Sequence, residues 1–229
     1  PPLELLFTID EETGLTGALG LDPALIRGRR LINLDSEEEG VIIVGCAGGA
    51  TTFGALPVEH NGAEGEALRI AVGGLQGGHS GIDIHLGRGN AIKVMARLLR
   101  SAGAAVRLAD LRAGRATNAI PRDAEAVVVI DPARRDAAIA SMREAFTAVK
   151  SELQTGDPGV TWNVEAVPAV ASALSASSTA AVLDALLGLP HGVQRFDAGQ
   201  PDLVETSCNL ARVELQADRL ELAISLRSI

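Results

Sequence analysis

Two adjacent carboxylates, Glu11 and Glu12, close the stretch "FTIDEE" just ahead of a glycine-punctuated turn. Neighbouring side chains of a strand point to opposite faces, so paired acids at a strand end can take different tasks. One can hold a cation while the other carries a proton from water. Open α/β sheets place their sites at such ends. A solvated acidic loop accounts for the same pair on spacing alone. Asp35 follows the apolar "LIN" and stands where a metal ligand would project from a sheet edge, whereas Glu37 to Glu39 read as an exposed charge run.

The most unusual stretch is "GGLQGGHSGIDIHLGRGNA", residues 73 to 91, with seven glycines around His79 and His85. Glycine allows close backbone approach and leaves His79 on an uncrowded loop, where an imidazole can donate to a developing oxyanion. His85 sits nearer the following helix and is suited to satisfying backbone groups. The stretch has neither the Gly-Lys-Ser/Thr of a P-loop nor GxGxxG spacing, which disfavours a phosphate cradle. Asn118, before the Ile-Pro of "ATNAIP", can reach a ligand or simply cap its turn. Arg227, near the end of the last apolar run, is by itself a surface arginine.

These residues need elements to position them. "LELLFTI", "LINLD" and "GVIIVGCAGG" are apolar runs of strand length, which suits strands buried on both faces, and "DPALIRG" offers a short helix with Pro23 near its start. This first part predicts an α/β segment over residues 1–50. From about residue 64 the rhythm changes to strand "EALRIAVGGL", helix "GNAIKVMARLLRSAG", strands "AAVRLADLRAG" and "AEAVVVID", a helix after the Asp131-Pro132 start, and strand "GVTWNVEAVP". The order β-α-β-β-α-β predicts a ferredoxin-like unit over about 64–168, with both helices on one face of an antiparallel sheet. A helix, "SSTAAVLDALLGL", and two strands, "DLVETSCNLARVEL" and "RLELAISLRS", follow and hint at a second, partial unit to residue 229.

Composition narrows the classes. The chain of 229 residues is 47% hydrophobic, enough for a core, and its 20 Lys and Arg against 29 Asp and Glu give a net charge of −9. With no basic cluster and few aromatics, nucleic acid is not an expected partner, and no stretch reads as a membrane span or export signal. Cys46 and Cys208 lie far apart in no ligand-like spacing, which predicts reduced thiols and a cytoplasmic setting.

Taken together, "TIDEETGLTGA", "LINLDSEEEG", "GCAGG", "GLQGGHSGIDIHLGRGNA", "ATNAIP" and "VETSCNLARVE" resemble, in order, the motifs of the aminoacyl-histidine (Xaa-His, cytosol non-specific) dipeptidases. This is a family within the aminoacylase and carboxypeptidase-G-like di-zinc metallopeptidases. The resemblance implies a piece of a catalytic α/β domain, 1–50, followed by an α+β lid domain, 51–229, that serves dimerisation. It also implies hydrolysis of dipeptides by a metal-activated water. Glu11 then matches the general base, Glu12 a ligand of one metal and Asp35 a ligand of the other, while His79 matches the histidine that steadies the oxyanion. Asn118 and Arg227 match positions that hold the substrate's carbonyl and its terminal carboxylate. Two divalent ions are implied, zinc first, with manganese or cobalt also suited to carboxylate-rich sites.

The family pattern has a His-x-Asp metal motif and a bridging Asp before the first of these motifs and a further ligand His after the lid, and this chain has neither. None of its four histidines begins a His-x-Asp metal motif, since the residues that follow are Asn-Gly, Ser-Gly, Leu-Gly and Gly-Val. A catalytic zinc takes about three protein ligands, and Glu12 and Asp35 supply at most one to each ion. The expectation is therefore an internal piece of such an enzyme, inactive alone. The reading from another class is a non-catalytic binding or dimerisation module built on the lid.

Overall fold

The computed structural model describes residues 3–11, 14–32 and 39–229, which fall into two compact units, Pro1–Gly45 and Cys46–Ile229. In the first unit, helix α1 (Thr16–Leu19) follows Leu15, whose φ of 60° is left-handed. A 3₁₀ turn, Pro23–Leu25, begins where the Asp22 carboxylate accepts the Ala24 N–H at 2.9 Å. The short helix expected at "DPALIRG" is thus this single turn. The Glu4 carboxylate accepts the N–H groups of Arg27 and Gly28 at 3.0 and 2.9 Å and ties the start of the unit to that turn.

The buried strands expected at 3–9 and 40–49 do not form as such. Leu3, Leu5, Phe7 and Ile9 are exposed with no strand assigned, as are Val41 to Val44, and the first strand begins only at Gly48. An apolar strand is stable only with strands beside it and helices over both faces. The described residues of this unit offer one helix of four residues and one 3₁₀ turn.

The second unit carries the chain's regular structure: β1 (Gly48–Pro57), β2 (His60–Gly62), β3 (Glu66–Gly73), β4 (Gly78–His79), α2 (Ala91–Ser101), β5 (Val106–Ala113), β6 (Ala119–Ile120), β7 (Ala124–Ile130), α3 (Arg135–Glu152), β8 (Thr161–Ala166), β9 (Ser172–Leu174), α4 (Ala176–Gly188), β10 (Gly192–Phe196), β11 (Val204–Leu215) and β12 (Arg219–Ser228). The main sheet runs β1-β12-β11-β5-β7-β3-β8, with β10 also on β11. Its β5-β7-β3-β8 portion is the antiparallel ferredoxin-like sheet that the element order predicts. Strands β11, β12 and β1 extend that sheet beyond β5, and β8 stands at the opposite edge. The seam between the two portions is narrow, with only Val213 opposite Ala113 and Glu214 opposite Arg112.

Alternation explains the core. Leu68, Ile70 and Val72 of β3 and Ala124, Ala126, Val128 and Ile130 of β7 turn one face toward the helices, where they meet Met95, Leu98 and Leu99 of α2, Met142 of α3, and Val182 and Leu186 of α4. The Asn90 side chain caps α2: its Oδ1 accepts the N–H of Ile92 at 2.9 Å and of Lys93 at 3.4 Å. Its Nδ2 donates to the Leu210 carbonyl at 2.8 Å and to His191 Nδ1 at 3.1 Å, so α2 is bonded to β11 and to the start of β10. Burial, and then the charge of Lys93, lower the His191 pKa to about 4. Lys93 donates its ammonium to the carbonyls of Leu186, Leu187 and Leu189 at the C-terminal end of α4, where a cation complements the helix dipole. Burial pulls the Lys93 pKa down, with Cys208 opposing. Cys46 and Cys208 are both free thiols. No described helix is long and apolar enough to cross a membrane.

Candidate functional site

The glycine-rich segment between β3 and α2 is held at both ends by one carboxylate. Asp157 is fully buried and accepts the Gln76 N–H at 2.6 Å and the Gly89 N–H at 2.5 Å. Within this frame the chain makes a tight ribbon, β4 against β6, with His79 opposite Ala119 and the Ser80 N–H donating to the Asn118 carbonyl at 2.7 Å. Gly78 lies at φ +134°, and a Cβ there would stand 2.3 Å from the Arg88 guanidinium and 2.5 Å from the Asp83 carboxylate. Glycine is therefore needed so that Asp83 can accept the His79 N–H at 2.8 Å while it pairs with Arg88 at 3.5 Å.

The His79 ring is oriented by the turn that follows it. Its Nδ1 faces the N–H groups of Gly81 at 3.3 Å and Ile82 at 3.2 Å, both donors. The neutral ring therefore carries its proton on Nε2 and presents that N–H as a donor. Arg227, on β12, brings its guanidinium against Gly81: a Cβ at residue 81 would lie 2.9 Å from both Cζ and Nε. The absence of a side chain at 81 thus lets the guanidinium pack onto the turn that orients the imidazole.

Three of the residues singled out in the sequence, His79, Asn118 and Arg227, come together here. Asn118 is exposed in the turn just before β6, and Arg227 is half-buried. Glu11 is exposed in a turn of the first unit, and Glu12 and Asp35 lie outside the described residues. Among the described residues no group of three or more His, Cys, Asp or Glu side chains stands together. His85 is exposed in the 3₁₀ turn Ile84–Leu86.

Sequence reasoning missed the residues that build the frame. Asp157 sits in "TGDPG", where an acid reads as an ordinary turn residue, and only its burial distinguishes it. Asn209 is buried in β11 and its Nδ2 donates to the carbonyls of Thr117 at 3.3 Å and Ala119 at 2.8 Å, on either side of Asn118. Its one visible signal is a polar amide among the apolar neighbours of "CNLA".

A family model described as a peptidase dimerisation domain matches residues 70–157. The chain is 35% identical over 234 aligned residues to the cytosol non-specific dipeptidase of Escherichia coli (strain K12), an alignment that covers all of this chain and 48% of that protein. Its fold matches the crystal structure of aminoacylhistidine dipeptidase from Vibrio alginolyticus with a TM-score of 0.84 at 33% identity, over 96% of this chain and 46% of that one. The chain thus spans about half the length of the relatives it matches. Agreement in sequence and fold runs along this chain's length: it is similar to about half of an aminoacylhistidine, or cytosol non-specific, dipeptidase, and residues 70–157 within it match a peptidase dimerisation domain.

Proposed function

We propose that this chain supplies the substrate-facing lid of a metal-dependent dipeptidase of broad, Xaa-His-type specificity, and that it works as a homodimer in the cytoplasm. The observation that carries the reading is the orientation of His79. Two backbone N–H groups occupy its Nδ1, so the ring offers Nε2–H, and the Arg227 guanidinium packs on the same turn at Gly81. A donor fixed before reaction is what a developing oxyanion rewards. Arg227 pairs its planar fork with the terminal carboxylate of the dipeptide, and the Asn118 amide holds the carbonyl. The two contacts and the imidazole together fix which carbonyl lies under Nε2–H.

In the same reading Glu11 carries the proton, and Glu12 and Asp35 each ligate one of two divalent ions, zinc before manganese or cobalt. Such ions supply a Lewis acid and a low-pKa water. One carboxylate per ion falls short of the about three protein ligands that a catalytic zinc takes, so this chain's residues do not complete the centre. The polypeptide by itself is accordingly expected to bind dipeptide without turning it over.

The test is His79→Ala in an active dipeptidase that contains this chain. Loss of an oxyanion donor should lower kcat by about 10²- to 10³-fold with KM little changed. A change confined to KM would make His79 a binding residue instead.

A further inference from the structure

A cavity of about 360 Å³ lies over β1, β12 and β11. Its lining includes Phe53, Ala55 and Ala223 from the sheet, Arg212 of β11, and Arg115 and Thr117 from the loop between β5 and β6. Strand register connects it to the His79 site. On β12, residues 223, 225 and 227 alternate onto one face, and their partners on β11 are Arg212, Asn209 and Ser207. On β1 the partners are Phe53, Thr51 and Gly49. The register shift between Leu210 and Arg212 puts the Arg212 side chain on this outer face; an unbroken strand would have turned it toward the core. Arg227 and Ala223 are therefore four residues apart on the same face, about 13 Å along the strand. Thr117 joins the cavity to Asn118 from the other side, and its carbonyl is held by Asn209.

The lining indicates what fits. Most of the nearby charge is matched: Arg212 donates to the Glu214 carboxylate at 2.5 Å, and Glu221 accepts from Arg219 at 2.7 Å. The Arg115 guanidinium has no hydrogen bond or ion pair among the described residues. Phe53 is 75% exposed, in a chain with four Phe, one Trp and no Tyr. A planar cation and an open ring around a small aliphatic floor suit a second ring, because guanidinium packs on aromatic faces and rings attract one another in offset or edge-to-face pairs. An acidic side chain would also meet Arg115, but Glu214 and Glu221 stand opposite each other on the adjoining row and repel a third anion. The volume is in the lower part of the range for small-molecule sites, roughly 300–1,000 Å³.

We propose that this cavity receives the side chain of the substrate's C-terminal residue and selects planar rings, imidazole and phenyl alike, with Phe53 and Arg115 as the specificity-determining residues. This rests on the reading of Arg227 as the partner of the terminal carboxylate, since the side chain next to that carboxylate is the one that enters along β12. Xaa-His-type specificity then has a physical source in stacking of the imidazole between a guanidinium and a phenyl ring.

The experiment measures kcat/KM for glycyl-phenylalanine, phenylalanyl-glycine and glycyl-glycine in an active dipeptidase that contains this chain. Wild type should favour glycyl-phenylalanine over glycyl-glycine by about 10-fold or more, as burial of a phenyl group gives. Phe53→Ala and Arg115→Ala should each cut that ratio by about three-fold or more, the size of one ring or cation contact. Phe53→Tyr, which keeps the ring, should retain it. Both residues are exposed, so the core is the same in every variant. A wild-type ratio near one, a ratio that either alanine variant preserves, or an equal loss for glycyl-glycine overturns the inference. So does a fall in the ratio of phenylalanyl-glycine to glycyl-glycine instead, which would put the ring on the other residue. None of these results touches Arg227. Its reading fails separately, if Arg227→Lys turns over glycyl-glycine as wild type does, and the assignment to the C-terminal residue then falls with it.

Discussion

At the scale of single residues the site depends on what is absent at position 81 as much as on the groups present. Gly81 N–H helps orient the His79 ring, and its bare Cα is the surface on which the Arg227 guanidinium lies. Replacing it by alanine leaves the backbone bond possible but puts a methyl 2.9 Å from Cζ. Contacts below 3.0 Å are not sustained, so the arginine must move. Gly81→Ala should weaken binding of a free-carboxylate dipeptide by about 10-fold, close to the loss of one charged contact, with little change in melting temperature. Titration of dipeptide acid against both proteins checks it, and equal affinities would separate the guanidinium from substrate. His191 acts on stability instead. The unfolded chain's histidine takes up a proton as pH falls through 6.5, whereas the folded one resists until about 4. The unfolded state then binds more protons, so stability falls with pH through that window and is unaffected above it. Denaturation midpoints from pH 7.5 to 4.5 should fall less steeply for His191→Asn than for wild type.

At the scale of elements the glycine-rich segment is an Ω-like excursion whose feet share one acceptor. Asp157 takes the Gln76 and Gly89 N–H groups across 81 and 68 residues of sequence. Asp157→Ala leaves the buried Gly89 N–H and the part-buried Gln76 N–H without their acceptor, at a cost of about 2–3 kcal/mol. Amide hydrogen exchange should show lost protection from 76 to 89 before the α2 core opens, and uniform loss across the domain would contradict a local role. Sequence periodicity revealed the long members of this fold for a plain reason. β3, β5, β7, α2 and α3 each run long enough for alternation or a 3.6-residue stripe to show. β2, β4, β6, β9 and β10 have two to five residues and carry no period. The apolar runs before residue 45 did have strand chemistry, but hydrophobicity states what a segment would bury and not whether neighbours exist to bury it. At the site, glycine density drew attention to His79, and the family resemblance to Asn118 and Arg227. Gly81, Asn209 and Asp157 were illegible because their partners lie many tens of residues away.

At the scale of the whole molecule the sheet ends in β1 on one side and β8 on the other, each paired on a single side within the described residues. Free edges of this kind invite strand pairing. Together with the match of residues 70–157 to a dimerisation domain, they lead to an expected mass near twice 23.6 kDa in sedimentation equilibrium. A monomer at every concentration would contradict the proposed assembly. The two-rung seam between β5 and β11 has a consequence of its own. Arg227 and Asn209 belong to the portion beyond that seam, whereas His79 and Asn118 hang from the ferredoxin-like portion. With two backbone rungs joining the portions there, what holds the gap between these side chains fixed is the layer beneath the sheet, where Leu210, Val213 and Ile224 share one core with α2 and α4.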